Sequence, residues 1–335
     1  MLRIAVLGCG RIGRMHAKNV AAHARTQLAA VYDIHRPAAE EVASQLGVPA
    51  LHSADAVLAA ADVDAVLIAT STETHADYME QAVAAGKPIL CEKPIDLSLD
   101  RVNRCADAIQ GSTVPIMLGF VRRFDPGHQA VRNAVHAGEI GDLHQVVITS
   151  RDPGMAPAAY IAGSGGIFRD MTIHDFDMAR FMLGEEPQEV FATGSRLVDP
   201  LLMDQVDDWD TVTVVLRTAS GKQCIINNSR QAVYGYDQRV EALGSRGMVV
   251  SENRRPHGAR FFAGGFTEKA EPYLNFFIER YAEAFNAEIG AFVDAVESGK
   301  APAVGFEDGR LALVLAEAAM KSASNGHVVK TSEIG

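Results

Sequence analysis

Residues 3–16 read RIAVLGCGRIGRMH, and this stretch decides the fold of the first part of the chain. An apolar run with strand character ends at Leu7, and apolar side chains at helical spacing follow from residue 11. Between them, Gly8, Gly10 and Gly13 form a GxGxxG pattern. In such a pattern the first glycine permits a tight turn, the second lets a pyrophosphate approach the backbone, and the third lets the helix pack on the strand. The stretch therefore predicts a dinucleotide site at the start of a βαβ unit.

An acidic residue at a characteristic distance supports this interpretation. Asp33 comes twenty residues after Gly13, at the end of a second strand-like run. A carboxylate in that place accepts hydrogen bonds from the ribose 2′-hydroxyl and repels a 2′-phosphate. The sequence thus favours NAD over NADP, and capping of the next helix is compatible with that role. His35 and Arg36 lie close by, and Arg36 would pair with a 2′-phosphate if Asp33 turned away, so NADP stays open.

The first 120 residues alternate short apolar strands with helices of 10 to 12 residues. This alternation is typical of βαβ units whose parallel sheet is buried on both faces. Right-handed crossovers then give a doubly wound sheet. We therefore predict a dinucleotide-binding Rossmann domain over residues 1–120. The predicted strands are 3–7, 27–32, 65–69, 88–91 and 115–118, and the predicted helices are 11–22, 37–46, 75–85 and 99–109.

The pattern changes after residue 120. Strand-like runs follow one another between residues 189 and 251 without helices between them, which predicts an open, mostly antiparallel sheet. We expect an α+β domain over 121–335 that binds substrate and mediates oligomerisation, with the last helix free to pack back on the first domain. Its few helices leave one face of the sheet for a partner subunit, so we expect a homo-oligomer. The predicted helices are 127–137, 170–183, 273–298 and 306–324.

Composition excludes several classes of protein. The 335 residues include 31 Lys and Arg against 42 Asp and Glu, a net charge of -11. No basic run exceeds two residues, so neither a nucleic acid nor a membrane surface is an expected partner. The longest apolar runs are far shorter than the about 20 residues of a membrane span. The four cysteines form no CxxC pair, which predicts reduced thiols in a cytoplasmic protein.

A lysine lies at the edge of the predicted sheet where ligands bind. Cys91-Glu92-Lys93-Pro94 follows the strand at 88–91, and open α/β sheets bind ligands at the carboxyl ends of their strands. From there Lys93 can reach a nicotinamide ring or a substrate oxygen, and Pro94 restricts it to an extended backbone. The alternative is a solvated loop lysine.

A second pair of polar residues has the spacing of one helix face. Asp170 and His174 are four residues apart on the helix predicted over 170–183. A carboxylate beside an imidazole raises its basicity, which suits a general base near neutral pH. One alternative is a capping aspartate with a buried structural histidine. Another is a metal site with Asp175 or Asp177, although no third ligand has an obvious spacing.

Taken together, these motifs resemble those of the Gfo/Idh/MocA oxidoreductase family over nearly the whole chain. The motifs are GCGRIGRMH at 8–16, ATSTETH at 69–75, CEKP at 91–94 and GGIFRDMTIHDFD at 165–177. Three further segments are similar to the branch that oxidises inositols, namely GFVRRFDP at 119–126, SRDP at 150–153 and NNSRQAVYGYDQRVE at 227–241. The resemblance implies NAD-dependent oxidation of myo-inositol to 2-keto-myo-inositol by a cytoplasmic homotetramer of inositol catabolism.

The resemblance also implies residue roles. Lys93 would bind the reacting hydroxyl and stabilise its alkoxide, Asp170 would contact substrate and support His174, and His174 would take the hydroxyl proton. No metal is required. The implied further substrate contacts are Arg122, Asp152 and Tyr236. The implied cofactor contacts are Gly8, Gly10, Arg11, Ile12, Gly13, Asp33, Thr70, Ser71, His75, Glu92 and Lys93.

The sequence departs from the family pattern at two positions, and other functions stay open. Ser164 replaces a glycine of many relatives, and Met171 replaces a polar side chain of some inositol enzymes. The alternatives are another inositol epimer or a pyranose sugar, a glycoside-cleaving enzyme that retains NAD, and a non-catalytic NAD-sensing regulator. The presence of Lys93, Asp170 and His174 argues against the regulator.

Overall fold

The computed structural model describes residues 1–334 and divides the chain into two compact units. The first comprises Met1–Val121 and Phe285–Leu313, and the second comprises Arg122–Ala284 and the residues from Val314 onward. The first change of unit lies next to the boundary predicted after residue 120. Residues 285–313, which the sequence assigned to the second domain, belong to the first unit.

The sheet of the first unit has five parallel strands in the order β2-β1-β3-β4-β5, which confirms the predicted doubly wound parallel sheet. In the central strands, residues 4–7 and 65–68 are apolar and buried because helices cover both faces. The strand order reverses between β1 and β3, and ligands bind at such a switch point. The strands are β1 Leu2–Leu7, β2 Thr26–Tyr32, β3 Ala65–Ile68, β4 Ile89–Cys91 and β5 Ile116–Leu118. Its helices are α1 Arg11–Ala22, α2 Arg36–Leu46, α3 Ala54–Ala59, α4 His75–Ala84 and α5 Leu99–Ala108.

The returning segment 285–313 completes the first unit. The Leu118 N–H at the end of β5 donates a hydrogen bond to the Val304 carbonyl at 3.1 Å. The ring of Phe285 meets His16 of α1 edge to face at a centroid distance of 5.5 Å. A Cβ at Gly309 would lie 2.8 Å from the Ile95 side chain. The core of this unit therefore needs residues from two segments that are far apart in the chain.

The second unit is built on a seven-stranded sheet in the order β11-β10-β6-β9-β8-β7-β14. Only β6 and β9 pair in parallel, which confirms the predicted mostly antiparallel sheet within residues 1–334. The strands are β6 Leu143–Arg151, β7 Pro187–Ser195, β8 Thr211–Thr218, β9 Gln223–Ser229, β10 Asp237–Gly244, β11 Gly247–Ser251 and β14 Val329–Lys330, with a separate hairpin of β12 Arg260–Ala263 and β13 Phe266–Ala270.

The remaining helices differ from the prediction in several places. Helices at Ala158–Gly163 and Pro200–Val206 lie in stretches where none was predicted, and the helix predicted from Asp170 begins at Ile173. The helix predicted over 273–298 is broken, because Tyr281 leaves the helical region with φ -110° and ψ 19°. The two longest helices, α11 and α12, contribute residues to both units. The helices are α6 Pro126–His136, α7 Ala158–Gly163, α8 Ile173–Leu183, α9 Pro200–Val206, α10 Phe277–Arg280, α11 Ala282–Ser298 and α12 Phe306–Asn325, with a π turn over Phe168–Thr172.

The two faces of the seven-stranded sheet differ in burial. Helices α6 and α8 pack on the strands, and side chains such as Val146, Val214 and Ile226 are buried there. On the other face, strand register aligns one partly exposed row across six strands. This row, which we call the outer row, consists of Phe191, Val215, Ile225, Val147, Glu241 and Val250. It is apolar except for Glu241.

The four cysteines are buried and carry free thiols. Among residues 1–334, no helix combines the length and the apolar character needed to cross a bilayer.

Candidate active site

The glycine loop of the first unit is shaped by close backbone contacts. Gly8 has φ +98°, and a Cβ there would lie 2.3 Å from the Ala69 carbonyl oxygen. A Cβ at Gly13 would lie 1.9 Å from the Gly8 carbonyl oxygen, whereas a Cβ at Gly10 would meet nothing within 4 Å. Helix α1 begins at Arg11, so its free N–H groups lie beside this open space. The loop therefore fits a dinucleotide pyrophosphate.

Asp33 is fixed on this glycine loop. Its Oδ2 accepts a hydrogen bond from the Cys9 N–H at 2.6 Å, and its Oδ1 accepts one from the His35 N–H at 2.7 Å. Arg36 Nε donates instead to Glu40 Oε1 at 2.7 Å. The residue before α2 is His35 rather than Asp33, so the carboxylate does not cap that helix. The predicted ribose-reading residue thus lies against the predicted phosphate loop.

The loops after β3 and β4 are joined by a buried histidine. His75 is 2% exposed, with Nδ1 2.8 Å from the Pro94 carbonyl oxygen and Nε2 3.1 Å from the Thr70 carbonyl oxygen. Burial lowers the pKa of His75, so its ring is neutral near pH 7. Thr70 Oγ1 lies 2.7 Å from Thr74 Oγ1, and Ser71 is exposed. His75, one of the predicted cofactor contacts, therefore uses both ring nitrogens to link the loop after β3 to the loop after β4.

The Glu92-Lys93 pair lies at the carboxyl end of β4. Glu92 Oε1 is 2.6 Å from His16 Nε2. Burial opposes ionisation of Glu92, but its hydrogen bond to His16 and the charge of Lys93 hold its pKa below the usual value. Lys93 is half-buried, and its peptide bond to Pro94 is cis. Strand β4 is parallel to β1, so Lys93 and the glycine loop lie at the same edge of the sheet.

A second carboxyl group, which the sequence did not indicate, lies near Glu92. Glu288 of α11 is fully buried. Burial and the charge of Glu92 raise the pKa of Glu288 well above its usual value, so this acid is neutral. Its position on an amphipathic helix gave no reason to expect a carboxyl group in the core.

In the second unit, Asp170 and His174 lie on one continuous helical segment. The regular α-helix predicted from Asp170 begins at Ile173 instead, because residues 168–172 form a wider π turn, a feature that recurs at functional sites. Tyr160 Oη donates to Asp170 Oδ1 at 2.8 Å, and Arg230 Nη1 donates to Asp170 Oδ2 at 3.2 Å. His174 is half-buried in the first turn of α8.

Arg122 is held inside the second unit by a buried network. Its Nη1 donates to Asp175 Oδ1 at 2.6 Å and to Ser150 Oγ at 2.8 Å, and Asn228 Nδ2 donates to Asp175 Oδ2 at 2.8 Å. Burial disfavours the charge of Arg122, but the Asp175 carboxylate raises the pKa of Arg122 above its usual value. Arg122 is therefore a fixed positive charge.

Asp152 and Tyr236 lie close to this charge. Tyr236 is 5% exposed and meets the rings of Phe276 and Tyr281 edge to face. Burial and the charge of Asp170 raise the pKa of Asp152 to about 6, and Arg122 and Arg230 oppose this rise. Burial raises the pKa of the Tyr236 hydroxyl, and the positive charge of Arg122 opposes this rise. The structure thus brings Arg122, Asp152, Asp170 and Tyr236 of the second unit into one polar cluster.

The aspartates considered for a metal site hold arginines instead. Asp175 pairs with Arg122, and Asp177 accepts two hydrogen bonds from Arg123 at 2.8 and 2.6 Å. Within residues 1–334, no group of three or more His, Cys, Asp or Glu side chains is arranged to hold a metal ion. The ion pairs argue against the metal alternative, since they occupy the oxygens that it would use.

Sequence reasoning missed Arg230 and Tyr160 as neighbours of Asp170. Arg230 lies in the 227–241 segment that carried the resemblance, so the motif pointed to this segment but gave no role for Arg230. Tyr160 lies in a Gly- and Ala-rich stretch without periodicity. Both contacts with Asp170 arise only in the folded unit.

The glycine loop on a parallel sheet, the acidic residue beside it and the polar cluster define a dinucleotide-dependent oxidoreductase. Residues 2–120 match the family model described as "Oxidoreductase family, NAD-binding Rossmann fold", and residues 128–250 match "GFO/IDH/MocA C-terminal domain". The chain belongs to the Gfo/Idh/MocA family of oxidoreductases, and its N-terminal domain is an NAD-binding Rossmann domain.

Inositol dehydrogenases from other bacteria are similar to this chain over nearly the full length of both proteins. The inositol 2-dehydrogenase of Rhizobium meliloti strain 1021 is 51% identical over 322 residues, 96% of each chain. The crystal structure of a myo-inositol dehydrogenase from Corynebacterium glutamicum ATCC 13032 aligns with a TM-score of 0.95 at 46% identity and 98% coverage of each chain. That of scyllo-inositol dehydrogenase from Lactobacillus casei, with bound NAD(H) and scyllo-inositol, aligns with a TM-score of 0.90 at 28% identity and 99% coverage of each.

Proposed function

We propose that the chain oxidises one secondary hydroxyl of myo-inositol with NAD and yields 2-keto-myo-inositol. The observation that carries this proposal is the polar cluster of Arg122, Asp152, Asp170 and Tyr236, in a chain that matches inositol dehydrogenases over nearly its full length. A cyclic polyol presents many hydroxyl groups, so its site needs several donors and acceptors. A second candidate substrate is scyllo-inositol, which is bound in the Lactobacillus casei relative.

The proposed mechanism assigns one task to each residue. The glycine loop holds the pyrophosphate, and Asp33 binds the ribose hydroxyls. When bound, NAD supplies the hydride acceptor. His174 accepts the proton of the reacting hydroxyl as general base, and Asp170 contacts the substrate and orients His174. Lys93 binds the same hydroxyl oxygen and stabilises its developing negative charge. The remaining ring hydroxyls bind to Arg122, Asp152 and Tyr236.

We also propose that the chain forms a homotetramer through the outer row of the seven-stranded sheet. Five of its six members are apolar, and Phe191 and Val250 are 39% and 42% exposed. An apolar row of this length in contact with water is typical of a protein interface. A cytoplasmic location stays a prediction of the sequence.

The test is NADH formation by the purified protein with myo-, scyllo- and D-chiro-inositol, glucose and xylose, with NADP as the parallel cofactor. We expect the highest kcat/KM with myo-inositol and NAD. Turnover of only a different polyol would keep the mechanism and change the substrate. Bound NAD without NADH release from any polyol would favour a regulator or an enzyme that retains its cofactor.

Replacing the proposed base tests the mechanism. We expect His174→Ala to lower kcat by about two to four orders of magnitude, the usual contribution of a positioned base. The matched control is His144→Ala, at an exposed position of β6 in the same unit, and it should keep normal turnover. Near-normal turnover of His174→Ala in the same assay would remove His174 from the mechanism.

A further inference from the structure

We propose that Arg230 is a positioning residue for the reaction, which holds the Asp170 carboxylate in place from inside the protein. The inference rests on the proposed function, because Asp170 matters only if it serves the oxidation. Arg230 comes directly after β9, and its own N–H donates to the Asp210 carbonyl oxygen at 2.8 Å. The backbone that carries the guanidinium is therefore fixed.

The guanidinium of Arg230 bridges two carboxylates. Nη1 donates to Asp170 Oδ2 and Nη2 donates to Asp208 Oδ2, both at 3.2 Å. Arginine presents its donors in a planar fork, so a single side chain can bind two acids in a defined relative orientation. A lysine has one ammonium group on a flexible stem and cannot reproduce this geometry.

Asp208 in turn grips the segment that precedes Asp170. Its Oδ1 and Oδ2 lie 3.0 and 3.1 Å from the Ile167 N–H, which donates to both. Ile167 immediately precedes the π turn, and Asp170 lies within it. The Arg230–Asp208 pair therefore holds the π turn at its start and at the Asp170 carboxylate.

Burial argues that Arg230 acts through Asp170. The residue is 2% exposed, so its guanidinium is enclosed by protein. Asp170 keeps 13% of its side chain exposed and can meet a ligand. Arg230 also opposes the rise in the pKa of the neighbouring Asp152. A buried cation that touches the carboxylate from behind fixes its position and balances the local negative charge.

The inference is tested by a double-mutant cycle with Arg230→Met and Asp170→Asn, read as kcat on the best polyol of the panel. We expect Arg230→Met to lower kcat by about 10- to 100-fold, because a displacement near 1 Å costs about that much. In the Asp170→Asn background the same change should cost less than about threefold, because coupled residues are not additive. Arg230→Lys, which keeps the charge, should recover part of the loss.

The control is Arg180→Met. Arg180 is also buried and binds both oxygens of Glu186 at 2.7 Å. We expect Arg180→Met to lower Tm. Its effect on kcat should be small and should be the same with and without Asp170→Asn. If Arg230→Met does not fold, Arg230→Lys replaces it in the cycle.

Equal losses of kcat from Arg230→Met with and without Asp170 would overturn the inference, and so would a loss matched by Arg180→Met. Failure of the proposed function is a different result, because the unmodified protein would then turn over no polyol. That result would overturn both proposals before any variant is compared.

Discussion

The ionised carboxylate of Asp152 lowers the stability of the fold, although this residue belongs to the polar cluster of the candidate site. Burial and the charge of Asp170 raise its pKa to about 6, against a usual 3.8. Folding therefore favours the protonated acid, and the ionised carboxylate destabilises the fold above pH 6. The cost is relieved as the pH falls through about 6 toward 4. Residues that lower stability in this way are common where function requires them.

We expect Asp152→Asn to raise Tm at pH 8, because the amide removes the buried charge, and to give no such gain near pH 4. The KM for the polyol should increase in the unmodified protein as the pH falls through about 6, since protonation removes acceptor capacity. In the variant this pH dependence of KM should disappear. Thermal unfolding and initial rates at each pH measure both effects, and equal Tm values at pH 8 would contradict the assignment.

Asp33 is the residue that we expect to select the cofactor. Its position against the Cys9 N–H puts a negative charge where a 2′-phosphate would lie. Asp33→Ser should therefore reduce the ratio of kcat/KM for NAD to that for NADP by at least about tenfold, which equals about 1.4 kcal/mol. The matched control is Asp55→Ser in the first turn of α3. An unchanged ratio in Asp33→Ser would show that another group reads the ribose.

At the scale of elements, one buried ion pair fixes the start of α6. Asp125 accepts hydrogen bonds from the N–H groups of Gly127 and His128, and it also pairs with the buried Arg280. Asp199 caps α9 through the Leu202 N–H alone. Asp199 is a helix cap alone, whereas Asp125 is a helix cap that also pairs with a buried arginine. Comparing the two shows how much the ion pair adds to the free energy of unfolding.

We expect Asp125→Ala to lower the free energy of unfolding by about 3–5 kcal/mol, because it leaves the Arg280 charge buried without its partner. Asp199→Ala should cost only about 1 kcal/mol, the usual value of a helix cap. Urea denaturation measures both. Similar losses in the two variants would mean that the Arg280 pair adds nothing to the cap.

Local patterns in the sequence were enough for residues 1–121 of the first unit, but they assigned its residues 285–313 to the second domain. The alternation of strands and helices and the GxGxxG–Asp33 spacing depend on neighbours along the chain. The parallel sheet was found as predicted, and Asp33 lies beside the glycine loop. The parallel pairing of β6 with β9 could not be predicted, because periodicity shows that a strand exists but not which strand it pairs with. The π turn before α8 also lacks a sequence signal.

The candidate site was predictable only in part for the same physical reason. Asp170 and His174 could be paired because four residues separate them. Arg230 lies 60 positions from Asp170, and Tyr160 lies on the short helix α7, in a stretch whose sequence shows no helical periodicity. Their contacts depend on how the strands pair and how the loops close, so residue type and spacing do not contain them.

At the scale of the whole molecule, the outer row should determine assembly. We expect light scattering at micromolar concentration to give a multiple of 35.9 kDa. Ile225→Lys, near the centre of the outer row, should dissociate the oligomer, because burying an unpaired ammonium costs several kcal/mol. The control Leu201→Lys changes a residue that is 77% exposed on α9 and should leave the mass unchanged. A monomer mass for the unmodified chain would refute assembly through the sheet.

The return of residues 285–313 to the first unit has a consequence for synthesis on the ribosome. N-terminal domains generally fold first as the chain emerges, at about 5–20 residues per second. Here β5 can form its hydrogen bond to Val304, and α1 its ring contact with Phe285, only after those residues are made. Both residues come more than 160 positions after Val121. At those rates about 10–40 s pass between the synthesis of Val121 and that of Leu313, and the first unit stays incomplete until then. During that interval the open edge at β5 and the uncovered side of α1 are exposed to other nascent chains. A chaperone that shields apolar surface is therefore most useful to this protein before residues 285–313 are made.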